Sequence, residues 1–158
     1  MILTIRKIGD PILEKPCREI TNPLKYKRLI KDMIETATAV NAIGLAANQV
    51  GQSVQLFLYG DGYNLMVAIN PIFMPVLNNE IEQREADFSE EEEGCLSVPR
   101  IGAIVKRYSI IKANYLNPNG EKVEHYLSGT AAKVYQHEWD HCQGILFLAK
   151  AEKIFYIK

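Results

Sequence analysis

The segment from Ser128 to Gly144 constrains the fold more than any other part of the chain. Ser128-Gly129-Thr130 opens a helix that runs to about Gln143, and Gly144 stops it. His137 and His141 fall on one face of that helix, one turn apart, with Cβ atoms roughly 5–6 Å from each other. That spacing lets both imidazoles hold a single metal ion. Glu138 follows the first of them directly. It would sit too near such an ion for solvent to dominate it, yet it is not aligned as a ligand, so it suits proton exchange with water. Two incidental histidines on a helix would give the same five-residue pattern, which alone does not decide between the readings.

A catalytic site of the zinc type needs a third protein ligand and one open position. A third histidine after the glycine is ruled out, because Phe147 stands at the required position. Glu152, the downstream carboxylate, lies very close in sequence and in a segment that reads as extended. A thiolate is the remaining option. Cys95 lies within Glu93-Gly94-Cys95-Leu96-Ser97-Val98-Pro99, a glycine-containing loop that leads into a strand. A metal-bound cysteine is deprotonated outright and lowers the net charge of the ion's site. Cys142 follows His141, points about a quarter-turn away and suits a small core residue. Cys17 follows Pro16 and has no partner pattern. Cys95 is therefore preferred over both.

The rest of the chain reads mostly as strands. A first helix is expected over Leu24–Val40, where Leu29, Ile30, Met33, Ile34 and Ala37 recur at helical spacing, with Thr21-Asn22-Pro23 as its start signal. Strands are expected over Val54–Tyr59, Leu65–Ile69, Ile72–Leu77, Ile101–Val105, Ser109–Leu116 and Lys122–Leu127. Gly60-Asp61-Gly62 and Asn117-Pro118-Asn119-Gly120 form turns, and Pro71 and Pro75 argue for edge or irregular strands. Glu80–Glu93 is strongly acidic and reads as a solvated loop or strand edge, while Ile145–Lys158 is too β-rich for a long terminal helix. The sum is an α+β fold of mixed or antiparallel strands packed around a central metal-binding helix, in a single domain over residues 1–158.

Composition narrows the setting. A net charge of -1 gives no bulk attraction to nucleic acid or to an anionic membrane. No apolar run approaches the ~20 residues needed to span a bilayer, and the first residues lack the order of a signal peptide. Three cysteines at irregular spacing make no disulfide framework, so a cytoplasmic, reducing compartment is expected.

Three short stretches together resemble the peptide deformylase family, in the family's order and across essentially the whole chain. They are Ala42-Ile43-Gly44-Leu45-Ala46-Ala47-Asn48-Gln49, then Glu93–Pro99, then Gln136-His137-Glu138-Trp139-Asp140-His141. The resemblance implies hydrolysis of the N-formyl group from formylmethionyl peptides, with release of formate. It implies Cys95, His137 and His141 as ligands of one divalent metal ion, Fe(II) in the cell, with zinc, nickel or cobalt as substitutes. It implies Glu138 as general base and then general acid, and Gln49 with the N–H of Leu96 as an oxyanion hole. Ile43, Gly44, Glu93 and Gly94 would contact the peptide backbone, and Val134 would wall the pocket for the methionine side chain. Asp140 would pair with Arg107 as a brace for helix and loop, and Trp139 would pack beneath the helix.

The match has departures. Ala42 stands where the family usually has glycine, so a positive φ there would be strained. Cys142 stands where leucine is common. Many bacterial members extend into a C-terminal helix that docks on the ribosome. Only about a dozen residues follow Leu146 here, so docking through such an element is not expected. Two other readings compete: a metalloprotease built on the same helix motif, and an inactive module that captures peptide N-termini.

Overall fold

The computed structural model describes residues 1–77 and 88–157. Two antiparallel sheets and two α-helices make an α+β fold. In chain order the strands are β1 (Gly44–Ala46), β2 (Leu56–Gly60), β3 (Leu65–Pro75), β4 (Phe88–Cys95), β5 (Val98–Tyr108), β6 (Ile110–Leu116), β7 (Lys122–Ser128) and β8 (Ala151–Tyr156). Helix α1 spans Lys27–Ala39 and α2 spans Gly129–Cys142. One sheet has the order β1-β2-β3-β6-β7, the other β4-β5-β8. Every pairing of named strands is antiparallel, and a bridge between Arg18 and Val54 is parallel.

Strand β2 explains how the layers stack. Successive side chains of a strand point to opposite faces, and all five residues of β2 are buried. Phe57 and Tyr59 pack with Tyr135 and Ala132 of α2. Leu56 and Leu58 pack on the other face with Met33 and Ile30 of α1. Tyr135 meets the rings of Phe57 and Tyr59 edge-on at 5.0 and 5.1 Å, a favoured aromatic geometry. Trp139 meets Phe73 of β3 at 5.2 Å. A third cluster, with Leu13, Val98, Val105 and Phe147, lies under the three-stranded sheet.

Local chemistry moved several expected boundaries. Residues Pro23–Tyr26 form a 3-10 turn, with the Asn22 side chain accepting from the Leu24 N–H, and the α-helix starts only at Lys27. The two strands expected on either side of Pro71 are one strand, β3, with an irregularity between Ile69 and Ile72. Asn70 sits there at φ 50. Its side chain accepts from the Ile20 N–H and donates to the Ile20 carbonyl, both at 2.8 Å, satisfying the backbone of Ile20 at the irregularity. The acidic run from Glu90 to Glu93 is part of β4, an edge strand; the earlier part of the expected acidic stretch, residues 80–87, lies outside the described residues. No helix among the described residues is long and apolar enough to cross a membrane.

Candidate active site

Helix α2 is buried over most of its length, yet Gln136, His137, Glu138, Asp140 and His141 are among its buried residues. Buried polar groups need partners, and the partners found here define the site. Gln136 accepts from the Tyr108 N–H and donates to the Tyr108 carbonyl, both at 2.9 Å, which ties α2 to β5. Asn48 donates to the His141 carbonyl at 2.8 Å. His137 Nδ1 meets Glu93 Oε1 at 2.8 Å. Arg107 grips Glu93 through Nε and Nη2 at 2.8 and 2.9 Å and reaches Asp140 through Nη1 at 2.6 Å. The brace that the resemblance implied is thus a buried ion network, its two carboxylates and guanidinium each 2–3% exposed.

Cys95 arrives from the other sheet. The register of β4 shifts between Gly94 and Cys95, and Cys95 then pairs with Val98 across a tight turn. Such an irregularity re-aims a side chain. Cys95 Sγ stands 3.4 Å from His141 Nε2. Ligand atoms of Cys95, His137 and His141 all lie within 4.8 Å of one another. One thiolate and two imidazoles are a donor set suited to zinc or another divalent first-row ion. Glu138 Oε2 lies buried beside them with no hydrogen-bond partner among the described residues.

Electrostatics follow the packing. Burial drives the Glu138 carboxyl up, against the pull of the His137 charge, to about 7. Burial also opposes the charged form of His137, but hydrogen bonds to Cys95 and Glu93 carry it up to about 10. Burial, together with the His137 and Arg107 charges, holds His141 well below the usual imidazole value. Glu93 is opposed by burial but held down to about 2 by Arg107 and His137.

A cavity of about 510 Å³ opens onto this cluster. Its wall includes Gln49, Leu96, Ile43, Gly44, Glu93, Gly94, Val134, Cys95, His137 and Glu138, so it gathers every expected site residue except His141. His141 lies behind it against Cys95. Gln49 is buried, its Oε1 accepting from the Ala46 N–H at 2.9 Å and its Nε2 donating to Ser97 Oγ at 3.1 Å. Gly44 is required by close approach: a Cβ there would overlap Glu138 Oε1 and lie 2.7 Å from Val134 Cγ1. Positive φ in this segment falls on Asn41, at 53°, and not on Ala42, so alanine is unstrained there. Strands β1 and β4 are each the edge of a sheet, and both contribute to the cavity wall. Glu93 can offer a ligand only its backbone, because its carboxylate is taken by Arg107 and His137.

Sequence reasoning missed Ser97, Asn48, Lys7 and Lys133. Ser97 and Asn48 stand inside the recognised stretches, without a role readable there. Lys7 and Lys133 line the cavity but carry no motif.

A family model described as Polypeptide deformylase matches residues 2–154. The peptide deformylase of Pseudothermotoga lettingae is 40% identical over 149 residues, covering 94% of this chain and 82% of its own. The crystal structure of peptide deformylase from Thermotoga maritima has a TM-score of 0.88 at 36% identity, covering 97% of this chain and 99% of that one. A peptide deformylase structure from Synechococcus elongatus, in complex with actinonin, has a TM-score of 0.84 at 31% identity, covering 96% and 79%. Fold, buried site and these matches define the chain as a hydrolase. It belongs to the peptide deformylase family.

Proposed function

We propose that this chain, acting as one domain in the cytosol, removes the formyl group from the N-terminal formylmethionine of new polypeptides, in a metal-dependent hydrolysis that releases formate. The observation that carries the reading is the convergence of Cys95, His137 and His141 beside a buried carboxylate that has no partner among the described residues. A divalent ion held by those three residues supplies Lewis acidity that makes water nucleophilic near neutral pH. We assign Fe(II) as the physiological ion, with zinc, nickel or cobalt able to occupy the same donors.

Glu138 takes the proton of the attacking water and returns it to the departing amine nitrogen. Its free Oε2 supports that role, since no hydrogen bond has to break first. Gln49 Nε2 and the N–H of Leu96 receive the negative charge that develops on the formyl oxygen; losing one such donor costs about 2.7–4 kcal/mol of barrier. The peptide lies between β1 and β4, the end strands of their sheets among the described residues, pairing with the backbone of Ile43, Gly44, Glu93 and Gly94, and its methionine side chain meets Val134. Edge strands present unpaired backbone groups to an extended ligand, which supports this arrangement.

The test is formate release from formyl-Met-Ala-Ser by metal-loaded protein, beside an internal-peptide substrate. Wild type should release formate, and Glu138→Gln should keep its metal while losing about 10²–10⁴-fold in turnover. Cleavage of the internal peptide would make the chain a protease, and capture without formate would make it a binding module. Cys95→Ser should lower metal retention after dialysis, and full retention would remove Cys95 from the ligand set.

A further inference from the structure

Asp140 is an anion in an unfavourable place, and its neighbours answer for it. It is 2% exposed and lies two residues from the end of α2 at Cys142, where the helix dipole disfavours negative charge. Two cations meet it, one on each oxygen: Arg107 Nη1 on Oδ2 at 2.6 Å and Lys150 Nζ on Oδ1 at 2.7 Å. Arg107 gives its other two contacts to Glu93, whose Oε1 meets His137 Nδ1. Lys150, Asp140, Arg107, Glu93 and His137 therefore run in single file from the surface to a candidate metal ligand, with charge alternating along the first four. Lys150 alone of the five reaches well into solvent, at 42% exposed against 10% or less for the others.

Charge balance makes Lys150 more than a surface pair. Asp140 and Glu93 bring two negative charges into the interior, and Arg107 matches only one of them. The guanidinium is a rigid fork that moves as one body, so a stronger pull from one carboxylate alters its geometry toward the other. With Lys150 on Oδ1, Asp140 asks one N–H of Arg107 and leaves two for Glu93. Without that ammonium, Arg107 is the one cation left between two buried carboxylates, and the stronger pull of Asp140 shifts the guanidinium away from Glu93. Glu93 is what fixes the His137 ring from behind, and a partner of that kind orients a histidine ligand and raises its basicity. The backbone favours the arrangement. Lys150 ends the 3-10 turn Phe147–Lys150, and Ala151 then pairs with Val105 of β5, the strand that carries Arg107.

We propose that Lys150 is a positioning residue of the metal centre. Through Asp140 and Arg107, its charge keeps Glu93 against His137 and sets how tightly Cys95, His137 and His141 grip a divalent ion. The inference rests on the metal-centre reading given under Proposed function.

Zinc affinity of the full chain, measured by chelator competition, tests it. Lys150→Met keeps the stem and removes the charge; it should weaken zinc binding about tenfold, the low end of the range for outer partners of metal ligands. Lys150→Arg should restore most of the loss, an outcome that packing of the stem does not produce. In an Asp140→Asn background, Lys150→Met should add nothing, because the route runs through Asp140. Unchanged affinity in Lys150→Met overturns the proposal and leaves the metal-centre reading standing. No rescue by arginine, or an equal loss in the Asp140→Asn background, also overturns it. If Asp140→Asn does not fold, the contrast between Met and Arg decides alone. A wild-type chain that binds no zinc overturns the metal-centre reading, and this inference with it.

Discussion

The two halves of the candidate site reach one cavity by different means. His137, Glu138 and His141 come from a single buried helix, whose pitch alone sets their spacing. Gln49, Cys95 and Leu96 come from a 3-10 turn and from the tight turn between β4 and β5, far apart in sequence. Gln49 itself bridges the two turns, its Nε2 donating to Ser97 Oγ at 3.1 Å and standing 3.5 Å from Cys95 Sγ. A short N-terminal stretch clamps them further: the Arg6 N–H donates to the Gln49 carbonyl at 2.7 Å, and the Ile8 N–H to the Ser97 carbonyl at 2.8 Å. Lys7 Nζ, between them, donates to the Leu96 carbonyl at 2.7 Å. The half built on one element is organised by its own backbone; the half built from separate elements depends on contacts between distant segments, and we expect it to be the softer of the two.

If the halves divide labour in this way, turnover can be broken without emptying the metal ligands. Gln49→Met keeps the volume and removes the amide. We expect kcat to fall about 10²–10³-fold with zinc content unchanged by elemental analysis. The Ala46 N–H loses its acceptor in the same variant, so a destabilisation of about 1–3 kcal/mol should accompany it in urea unfolding. Loss of zinc along with turnover would show that the halves cannot be separated. Gly44→Ala probes the seam between them. Its Cβ would meet Glu138 Oε1 and Val134 Cγ1, so the carboxylate has to move. We expect kcat to fall about 10²-fold, as for a misplaced catalytic group, with Glu138 intact and zinc retained. Near wild-type turnover would mean that Glu138 does not need the position seen here.

The same division governs what could be read from the sequence. The helix half was legible because helical periodicity is a short-range rule: the place of His137 and His141 on one face follows from their spacing. Cys95 was legible by elimination and by its glycine-containing loop. Gln49 and the Leu96 N–H entered only through resemblance, since their meeting depends on two turns far apart in the chain. The ion network was half legible. The pairing of Asp140 with Arg107 was expected, but the second contact of Arg107, to Glu93, and the arrival of Lys150 needed the register of β5 with β4 and β8. Boundary errors had the same origin. Pro71 argued for an edge or irregular strand, and the irregularity is there, but the stretches on its two sides form one interior strand; nothing nearby reveals that Asn70 bonds to the backbone of Ile20, far away in the chain. Gly44 had an expected role in peptide contact, while its closeness to Glu138 is a property of packing alone.

The weakest clamp gives the sharpest test of softness in the half built from the two turns. Lys7 is exposed, so its bond to the Leu96 carbonyl competes with water and contributes less than a buried charged hydrogen bond would. The two backbone bonds on either side of it would survive its removal. Lys7→Met should therefore lower kcat/KM only about two- to fivefold, with zinc content and the thermal midpoint little changed. Softening should instead appear locally, as faster amide exchange in a peptide covering residues 95–99 and unchanged exchange over α2. A uniform increase across both regions would mean that the two halves open together, and that the N-terminal stretch supports the whole site and not one side of it. No change in either would leave the turn organised by the Cys95–Val98 pairing and by the bonds of Ile8 and Gln49 to Ser97, and Lys7 would then be a cavity-wall residue without a clamping role.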